Sequence, residues 1–381
     1  MIGRPKYLGW AMRHYGRAGF DLASSGAPAF PQSELGAVSS LDGSDGWERL
    51  CAAIARHHRL PRAEAIGALG ASHGLWLAYT ALLDHGDEVL VEDPAYEPLV
   101  LAAQAAGGVV RRFDRGPSMG YALDPERVFA ALSDKTRVVA ITNLHNPSGA
   151  RASDEAMRAI AARLERQGGT LFVDEVYAPF DHLVGKDGVF FGTARRLGAN
   201  VVTTSSLTKT YGLGSQRVGW VLGPEAVITR AMDALVATAG ALPTAWAHRG
   251  VLALEHVGAL AERTRGLLGD KRARVAAFMR EQPALSWSAP PAGLFGFAVA
   301  PHAGDLLPAI ERGIASHDVI VAPGCFFGIP NGFRLGWSLP EDKLDEGLTR
   351  LVAVLRDAGL DMRDAPRGTA HRSRAEAGAA S

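Results

Sequence analysis

The sequence contains little cysteine and little lysine. Its 381 residues include two cysteines, Cys51 and Cys325, and no CxxC pair. Two distant thiols do not make a disulfide framework, so we expect a reducing, cytoplasmic setting. Arginine stays protonated and cannot form an imine, so only a lysine could carry a carbonyl cofactor. The lysines are Lys6, Lys135, Lys186, Lys209, Lys271 and Lys343.

Long apolar runs and an excess of either charge are also missing. No segment approaches the roughly 20 apolar residues that span a bilayer. The N-terminal MIGRPKYLGWAMRHYG lacks the apolar core of a signal peptide. The 40 basic residues balance the 40 acidic ones. We therefore predict neither a membrane nor a nucleic acid as the partner, because no cation surplus is available to meet phosphates.

Short apolar runs alternate with helix-forming stretches in the first part of the chain. The runs that predict β-strands are 65–70, 87–93, 108–113, 136–142, 170–175, 200–206 and 217–223. Between them lie helical patterns, such as the one for which Ser153 is a candidate N-cap. This alternation predicts an α/β fold with a mostly parallel sheet and helices on both faces. Ligands of such sheets bind at the carboxyl ends of the strands.

The remaining segments predict a second, smaller unit. Residues 224–282 read as helical with a break near AGALPTAW, and a new α+β pattern begins near residue 283. The Gly-, Ser-, Pro- and Ala-rich segment from about residue 20 to 46 predicts an ordered arm or lid with little regular structure. The expected parts are an N-terminal arm of the small domain at 1–46, a large domain at 47–270, a small C-terminal domain at 271–363 and a disordered tail at 364–381.

Candidate cofactor chemistry follows the strand predicted at 200–206. Ser206-Leu207-Thr208-Lys209 leaves that strand, and Arg217 lies eight positions after the lysine. The lysine could form an imine, while the serine hydroxyl and the arginine fork could hold a phosphate. An SxxK pattern alone is more typical of a surface lysine on a loop, so the other motifs must decide between the two interpretations.

Two other predicted strands end in polar turns. Asp174, in VDEVY, ends an apolar run. A buried carboxylate needs a partner, which could be a protonated ring nitrogen, an arginine or a helix N-terminus. Asn146, in HNPSG, could donate its amide to an anionic oxygen, although Asn-Pro and Ser-Gly also form plain turns.

Three further signals concern an anion, an aromatic ring and a carboxylate. Gly70-Ala71-Ser72 joins a strand to a helix, where backbone N–H groups can approach an anion. Tyr96 follows the strand at 87–93 and could stack on a flat ring or pack in the core. Arg334, alone in the apolar GFRLG, needs a carboxylate, which either a substrate or an internal salt bridge could supply.

In combination these motifs are specific. In order and type they resemble the class I/II aminotransferase-like family of fold-type I pyridoxal 5′-phosphate (PLP) enzymes, from about residue 20 to 355. The motifs that carry the resemblance are GASHGL, DEVLVEDPAY, HNPSG, VDEVY, SLTKTYGLGSQRVGW, APGCFFG and FRLGWS. The resemblance implies a large PLP-binding domain with a mostly parallel seven-stranded sheet, a smaller α+β domain, PLP as cofactor, no metal, and a homodimer.

The resemblance also implies a role for each matched position around the cofactor ring. Lys209 is expected to carry PLP as a Schiff base and to move the Cα proton of the substrate. Asp174 is expected to keep the ring nitrogen protonated, so that the ring can accept electrons. Tyr177 and Asn146 are expected to donate to the phenolic oxygen, and Tyr96 to stack on the ring.

Phosphate and substrate contacts complete the site that the resemblance implies. The phosphate is expected at Gly70, Ala71, Ser72, Ser206 and Arg217. Arg334 is expected to clamp the substrate α-carboxylate, with Ser25, Gly26 and Asn146 nearby. The residues expected to shape an apolar side-chain pocket are Trp10, Tyr15, Phe20 and Gly293-Leu294-Phe295. A second cation for a dicarboxylate could come from Arg13, His14 or Arg17.

Two departures from the family pattern leave the reaction type open. A tyrosine common in relatives falls at Leu41 here, and the usual Pro-Gly-aromatic before the phosphate arginine is Gly214-Ser215-Gln216. An aminotransferase acting on an amino acid or amine-bearing metabolite is favoured, while a β-eliminating C–S lyase or a cyclase would use the same residues. A non-catalytic PLP-sensing domain is disfavoured, because such regulators carry a helix-turn-helix domain before the region of resemblance.

Overall fold

A computed structural model describes residues 3–35, 45–183 and 192–365, so Leu41 and the predicted tail from residue 366 lie outside the described residues. The strands are β1 (Phe20–Asp21), β2 (Ala65–Leu69), β3 (Glu88–Asp93), β4 (Val109–Asp114), β5 (Thr136–Thr142), β6 (Thr170–Asp174), β7 (Val201–Ser206), β8 (Val218–Leu222), β9 (Ser286–Trp287), β10 (Phe295–Val299), β11 (Val319–Ile320), β12 (Ala322–Pro323) and β13 (Gly332–Gly336). The helices are α1 (Lys6–His14), α2 (Gly46–His58), α3 (Ala71–Leu82), α4 (Glu97–Ala105), α5 (Pro125–Ala131), α6 (Asp154–Glu165), α7 (Pro179–Leu183), α8 (Glu225–Ala239), α9 (Thr244–Glu255), α10 (Val257–Leu268), α11 (Lys271–Arg280), α12 (Leu307–Ser316) and α13 (Glu341–Asp357). None of these helices is long and apolar enough to cross a membrane.

The central sheet has the strand order β2-β8-β7-β6-β5-β3-β4. Neighbouring strands are parallel except at β8, which is antiparallel to both β2 and β7. Each of the seven strands coincides with one of the predicted runs. The prediction of an α/β fold with a mostly parallel seven-stranded sheet is therefore confirmed.

Helices cover both faces of this sheet, which explains why its strands are almost continuously apolar. Val138 and Ala140 of β5 belong to the apolar cluster of α3, α4 and α8. Val139 and Ile141 point to the other face, where they join the cluster of α5 and α6. Ser153 caps α6 as predicted, since its Oγ accepts the Ala156 N–H at 3.1 Å.

A smaller antiparallel sheet follows in the chain, with the order β12-β13-β10-β9. The helical stretch before it breaks between α8 and α9, where the break was predicted. The short strand β1 pairs in parallel with β11, Phe20 opposite Val319. Residues 20–21 of the arm are thereby tied to the C-terminal part of the chain.

Helix α1 was not predicted from the sequence. Its buried residues Tyr7, Trp10 and Ala11 have the spacing of one helix face. The backbone N–H groups of Lys6 and Tyr7 donate to the Glu97 carboxylate at 2.7 and 2.9 Å. These bonds satisfy two of the donors that every helix leaves open at its N-terminus, and they hold α1 against the start of α4.

Candidate active site

The carboxyl ends of three adjacent strands bring the first site residues together. Thr142 of β5, Asp174 of β6 and Thr204 of β7 are partners across the sheet. Asn146 lies four positions beyond β5, and Lys209 lies three positions beyond β7. Residues from distant parts of the sequence therefore meet at one edge of the sheet, where ligands of such folds bind.

Asp174 is a buried carboxylate that needs a cation. It is 2% exposed, and its Oδ1 accepts the Val176 N–H at 3.0 Å. Burial raises the pKa of Asp174 to about 7, and the nearby charge of Glu92 adds to the effect. Within the described part of the chain no lysine or arginine forms an ion pair with it. A ligand that carries a proton on a ring nitrogen would meet this need.

Lys209 is held by the N-terminal arm. Its Nζ donates to the Ser25 hydroxyl at 3.3 Å, and that hydroxyl lies 2.8 Å from the Tyr177 hydroxyl. Burial lowers the pKa of Lys209, which favours the neutral, nucleophilic amine. A Cβ at Gly26 would lie 3.0 Å from the Lys209 carbonyl oxygen and 3.1 Å from its Cδ. The arm can therefore approach the lysine this closely because residue 26 is glycine.

The donors expected at a phenolic oxygen border the same space. Burial raises the pKa of Tyr177, so its phenol stays protonated and can donate. Asn146 is fully buried, and its Oδ1 accepts from Arg334 Nη1 at 2.7 Å. The Asn146 Nδ2 finds no acceptor among the described residues. Tyr96 is half-buried, with its ring edge-on to Tyr7 at a centroid distance of 6.2 Å.

The residues expected to hold a phosphate converge at the N-terminus of α3. Gly70 precedes this helix with a φ of 78°, and a Cβ there would lie 2.5 Å from Arg217 Nη2. The backbone of Ala71 and Ser72 forms the first turn of α3. Ser206 is buried at the end of β7, beside the strand that Arg217 precedes. A glycine, a helix N-terminus and an arginine together suit a phosphate group.

Arg334, in β13, is a buried cation without a carboxylate. It is 1% exposed, and its Nη2 donates to the Tyr7 hydroxyl at 2.7 Å and the Ala23 carbonyl at 2.9 Å. In the described residues its Nε–H has no acceptor, and no acidic side chain forms a salt bridge with it. The internal salt bridge that the sequence left open is therefore not found there. The rings that flank the guanidinium, with centroids 5.4 to 5.5 Å away, are Tyr7, Phe295 and Phe327.

The aromatic residues expected to shape the side-chain pocket contact different neighbours. The Tyr15 hydroxyl lies 2.7 Å from that of Tyr7, and so belongs to the surroundings of Arg334. The Trp10 Nε1–H donates to the Glu311 Oε1 at 3.1 Å. The Phe20 ring packs against the Arg350 guanidinium at 4.3 Å, and its place in the side-chain pocket stays a prediction. Phe20 lies in the short strand β1, which pairs with β11.

The candidates for a second cation lie at the end of α1 and just after it. Arg13 and Arg17 are exposed, and His14 Nε2 lies 3.9 Å from a Glu311 carboxylate oxygen. A second cation for a dicarboxylate from one of these three residues therefore stays a prediction.

Two side chains at the site were missed by sequence reasoning. Tyr7 contacts Arg334 although 327 positions separate them, and Ser25 contributes its hydroxyl as well as the expected backbone. The apolar spacing of Tyr7, Trp10 and Ala11 could have indicated helix α1. Nothing in the local sequence indicates which residue its tyrosine would meet.

These observations together test whether PLP fits. Asp174 needs a cation, the buried Asn146 amide needs an acceptor, and Gly70 leaves the room beside Arg217 that a phosphate cup requires. Lys209 is a half-buried amine with a lowered pKa within the same group. PLP has a group for each of these residues. Its protonated ring nitrogen suits Asp174, its phenolic oxygen suits Asn146, and its phosphate and aldehyde carbon suit Arg217 and Lys209. The described residues show no cluster that could hold a metal ion.

Comparison with known proteins agrees with this fit. The model of the family "aminotransferase class I and II" matches residues 17–351. The chain belongs to that family. Aminotransferases of this family use PLP, so this member is a PLP-dependent enzyme of fold type I. A solved PLP-dependent aminotransferase from Streptococcus suis 89-1591 superimposes with a TM-score of 0.83, covers 95% of this chain and 100% of that one, and is 21% identical.

Relatives in sequence carry two kinds of name. The chain is 31% identical to capreomycidine synthase from Streptomyces vinaceus, over 94% of this chain and 95% of that protein. It is 29% identical to an aspartate/prephenate aminotransferase from Thermus thermophilus, over 77% of this chain and 75% of that protein. The chain is therefore similar in sequence both to aminotransferases and to a synthase.

Proposed function

We propose that this aminotransferase-family enzyme transfers the amino group of an α-amino acid, using Lys209 for the proton chemistry and Arg334 for the carboxylate. The observation that carries this proposal is the buried Arg334, which has no acidic partner in the described residues and shares Asn146 with the cofactor side of the site. Such a cation is stabilised by an anion that arrives with the ligand.

Lys209 is the proposed base and acid. When bound, PLP supplies an electron sink that stabilises the negative charge left on the substrate's Cα after proton loss. Burial lowers the pKa of Lys209, so a neutral Nζ can accept the Cα proton and later return it. The Ser25 hydroxyl, itself bonded to Tyr177, fixes the position of Nζ.

The other residues would hold the cofactor and orient the substrate. Asp174 would keep the ring nitrogen protonated, because a cation would stabilise the ionised carboxylate in its buried site. Tyr177 and Asn146 would donate to the phenolic oxygen, and Tyr96 would lie on the ring. The residues proposed for the phosphate are Gly70, Ala71, Ser72, Ser206 and Arg217. Arg334, with Ser25 and Gly26 of the arm nearby, would set the direction of the Cα–H bond.

A second reaction type is favoured by one observation. The synthase from Streptomyces vinaceus matches over 95% of its length, whereas the Thermus aminotransferase matches over 75%. A cyclase or a β-eliminating lyase would use the same Lys209 and Asp174, and would differ in what the substrate side chain does next. The altered loop Gly214-Ser215-Gln216 lies next to Arg217 and is compatible with either outcome.

The fate of the amino group separates these reactions. The enzyme with PLP is incubated with amino acids that carry an isotope-labelled amino group, together with 2-oxoglutarate. Label recovered in glutamate supports the transferase. Label released as ammonia would establish the lyase, and label retained in a product of altered mass would establish the cyclase.

The cofactor anchor is tested separately. Borohydride treatment followed by peptide mass analysis should find PLP fixed to Lys209. Lys271 is the matched control, because its pKa is likewise lowered by burial but it lies outside the site. Attachment that persists in Lys209→Ala, or that is found at Lys271, would show that the anchor is assigned to the wrong residue.

We also propose that the enzyme is a homodimer and works in a reducing cytoplasm on small amino-acid-like substrates. The Arg217 side chain is exposed although it faces the proposed phosphate, as expected if a second subunit covers it. Both cysteines are free. The β1–β11 pairing supports assigning the arm 1–46 to the small domain, with the large domain at 47–270 and the rest of the small domain at 271–363. Light scattering should give twice the 40.2 kDa of one chain.

A further inference from the structure

The hydrogen bonds of Arg334 leave it unable to bind a carboxylate with two bonds. A guanidinium has five N–H groups in one plane. Nη1 donates to Asn146 Oδ1, and Nη2 uses one hydrogen for the Tyr7 hydroxyl at 2.7 Å and the other for the Ala23 carbonyl at 2.9 Å. The Nε–H and one hydrogen of Nη1 remain without an acceptor among the described residues.

The two free donors cannot form a fork. Around the guanidinium, parallel pairs of N–H groups exist between Nε and Nη2 and between Nη2 and Nη1. Each pair includes Nη2, whereas Nη1 faces the Cδ side of the group and cannot pair with Nε. A carboxylate that binds Arg334 with two parallel bonds must therefore take a hydrogen of Nη2 from Tyr7 or from Ala23.

Tyr7 is the more replaceable of these two acceptors. The Ala23 carbonyl also accepts the Tyr15 hydroxyl at 3.2 Å and belongs to the backbone of the arm. The Tyr7 and Tyr15 hydroxyls lie 2.7 Å apart and either could be the donor, and in both cases the Tyr7 oxygen keeps a lone pair. The Tyr7 oxygen is thus free to accept from Arg334, and it takes the place that a carboxylate oxygen would occupy.

Building on the function proposed above, we propose that Tyr7 is a substrate-binding residue whose hydroxyl stands in for a carboxylate oxygen on Arg334 and is displaced by the substrate. The Tyr7 ring contacts Phe326 and Phe327 at centroid distances of 5.9 and 5.5 Å, so we expect α1 to shift when the hydroxyl leaves Arg334. The bonds from the first turn of α1 to Glu97 oppose that shift. A groove of about 540 Å³ between α1 and α12 gives the helix room on that side.

The direction of one affinity change tests this proposal. The ligands are 4-methylpentanoate and 3-phenylpropanoate, carboxylates that lack an amino group and cannot react. If Tyr7 competes with the carboxylate, Tyr7→Phe in the PLP-loaded enzyme binds them roughly three- to tenfold more tightly, as measured by calorimetry. If Tyr7 instead donates to the bound carboxylate, Tyr7→Phe binds more weakly, and weaker or unchanged binding overturns the proposal.

A stability measurement gives an independent readout. Tyr7→Phe leaves an Nη2–H of Arg334 without its acceptor in the ligand-free enzyme, so the unfolding midpoint should fall. The loss should disappear at saturating carboxylate. Tyr121→Phe is the matched control, because Tyr121 is buried and its hydroxyl has no partner among the described residues. In Tyr121→Phe, neither the affinity for the two carboxylates nor the dependence of the unfolding midpoint on them should differ from the native enzyme.

Arg334 variants distinguish this inference from the function on which it rests. Arg334→Met should abolish carboxylate binding, and Arg334→Lys should weaken it while keeping the charge. If both variants bind as the native enzyme does, the proposed role of Arg334 fails. If both lose binding and Tyr7→Phe does not tighten it, only the displacement of Tyr7 fails.

Discussion

Asp174 should reduce the stability of the enzyme when PLP is absent. Its carboxylate is buried with the Val176 N–H as its hydrogen-bond donor, and burial raises its pKa to about 7. An unfolded chain has an aspartate pKa of about 3.9. Between these two values the native state holds a proton that the unfolded state has released, so stability falls as the pH rises.

The size of the effect follows from the two pKa values. Each tenfold change in proton affinity is worth about 1.4 kcal/mol, so a pKa of about 7 in place of about 3.9 corresponds to at most about 4 kcal/mol. The stability that comes from keeping Asp174 protonated is fully present below about pH 4, and it is lost once the pH passes about 7. Asp174→Asn removes the charge and keeps the shape, so the PLP-free variant should be about 1–4 kcal/mol more stable than the native protein at about pH 8.

Denaturant unfolding of PLP-free protein at about pH 5 and about pH 8 measures this difference. Glu92→Gln is the matched control, because Glu92 is a buried carboxylate that pairs with Arg115 at 2.5 Å. Removing its charge leaves the buried arginine without its carboxylate, so this variant should lose about 3–5 kcal/mol at about pH 5. The loss should be smaller at about pH 8, because the Glu92 charge then no longer opposes the ionised Asp174. Added PLP should stabilise the native protein far more than Asp174→Asn. A variant less stable than the native protein at pH 8 would refute the reasoning.

Two further outcomes are expected. Gly70→Ala should weaken PLP binding roughly tenfold in a fluorescence titration, because the new methyl would meet Arg217 at 2.5 Å. Gly86→Ala is the control, because Gly86 also has a positive φ, 92°, but a Cβ there would have no atom within 4 Å. This variant should leave the PLP affinity unchanged. Equal losses of affinity in the two variants would rule out the contact with Arg217 as the cause. Ser25→Ala should lower kcat roughly tenfold with little change in KM, because Lys209 Nζ loses its acceptor. A change in KM alone would place Ser25 in substrate binding.

The sheet and its edge could be predicted because their signals are local. Apolar runs buried on both faces indicated the seven strands, and turn residues at their carboxyl ends indicated where Asp174 and Lys209 would lie. The reversed direction of β8 could not be inferred from its own sequence, since an apolar run is the same in either direction. The role of each residue at the edge came from the family resemblance.

Contacts between distant segments could not be predicted. Ser25 meets Lys209 across 184 positions and Tyr7 meets Arg334 across 327. Each contact depends on how the arm folds over the site, which the pairing of β1 with β11 and the Glu97 bonds to α1 decide together. A pattern within one segment carries no information on these partners. Leu41, where the sequence departs from its relatives, lies in the part of the arm that the structure does not describe.

The reaction type should be decided by the arm and not by the strand ends. Transfer, elimination and cyclisation all need a base, a cation for the carboxylate and a partner for the ring nitrogen, and Lys209, Arg334 and Asp174 would supply these in each case. What differs is which atoms can approach Cα once its proton is gone. In the described structure, the arm and α1 cover that space with Ser25 and Tyr7. Substitutions there should change the ratio of products, whereas substitutions at the strand ends should lower all products together.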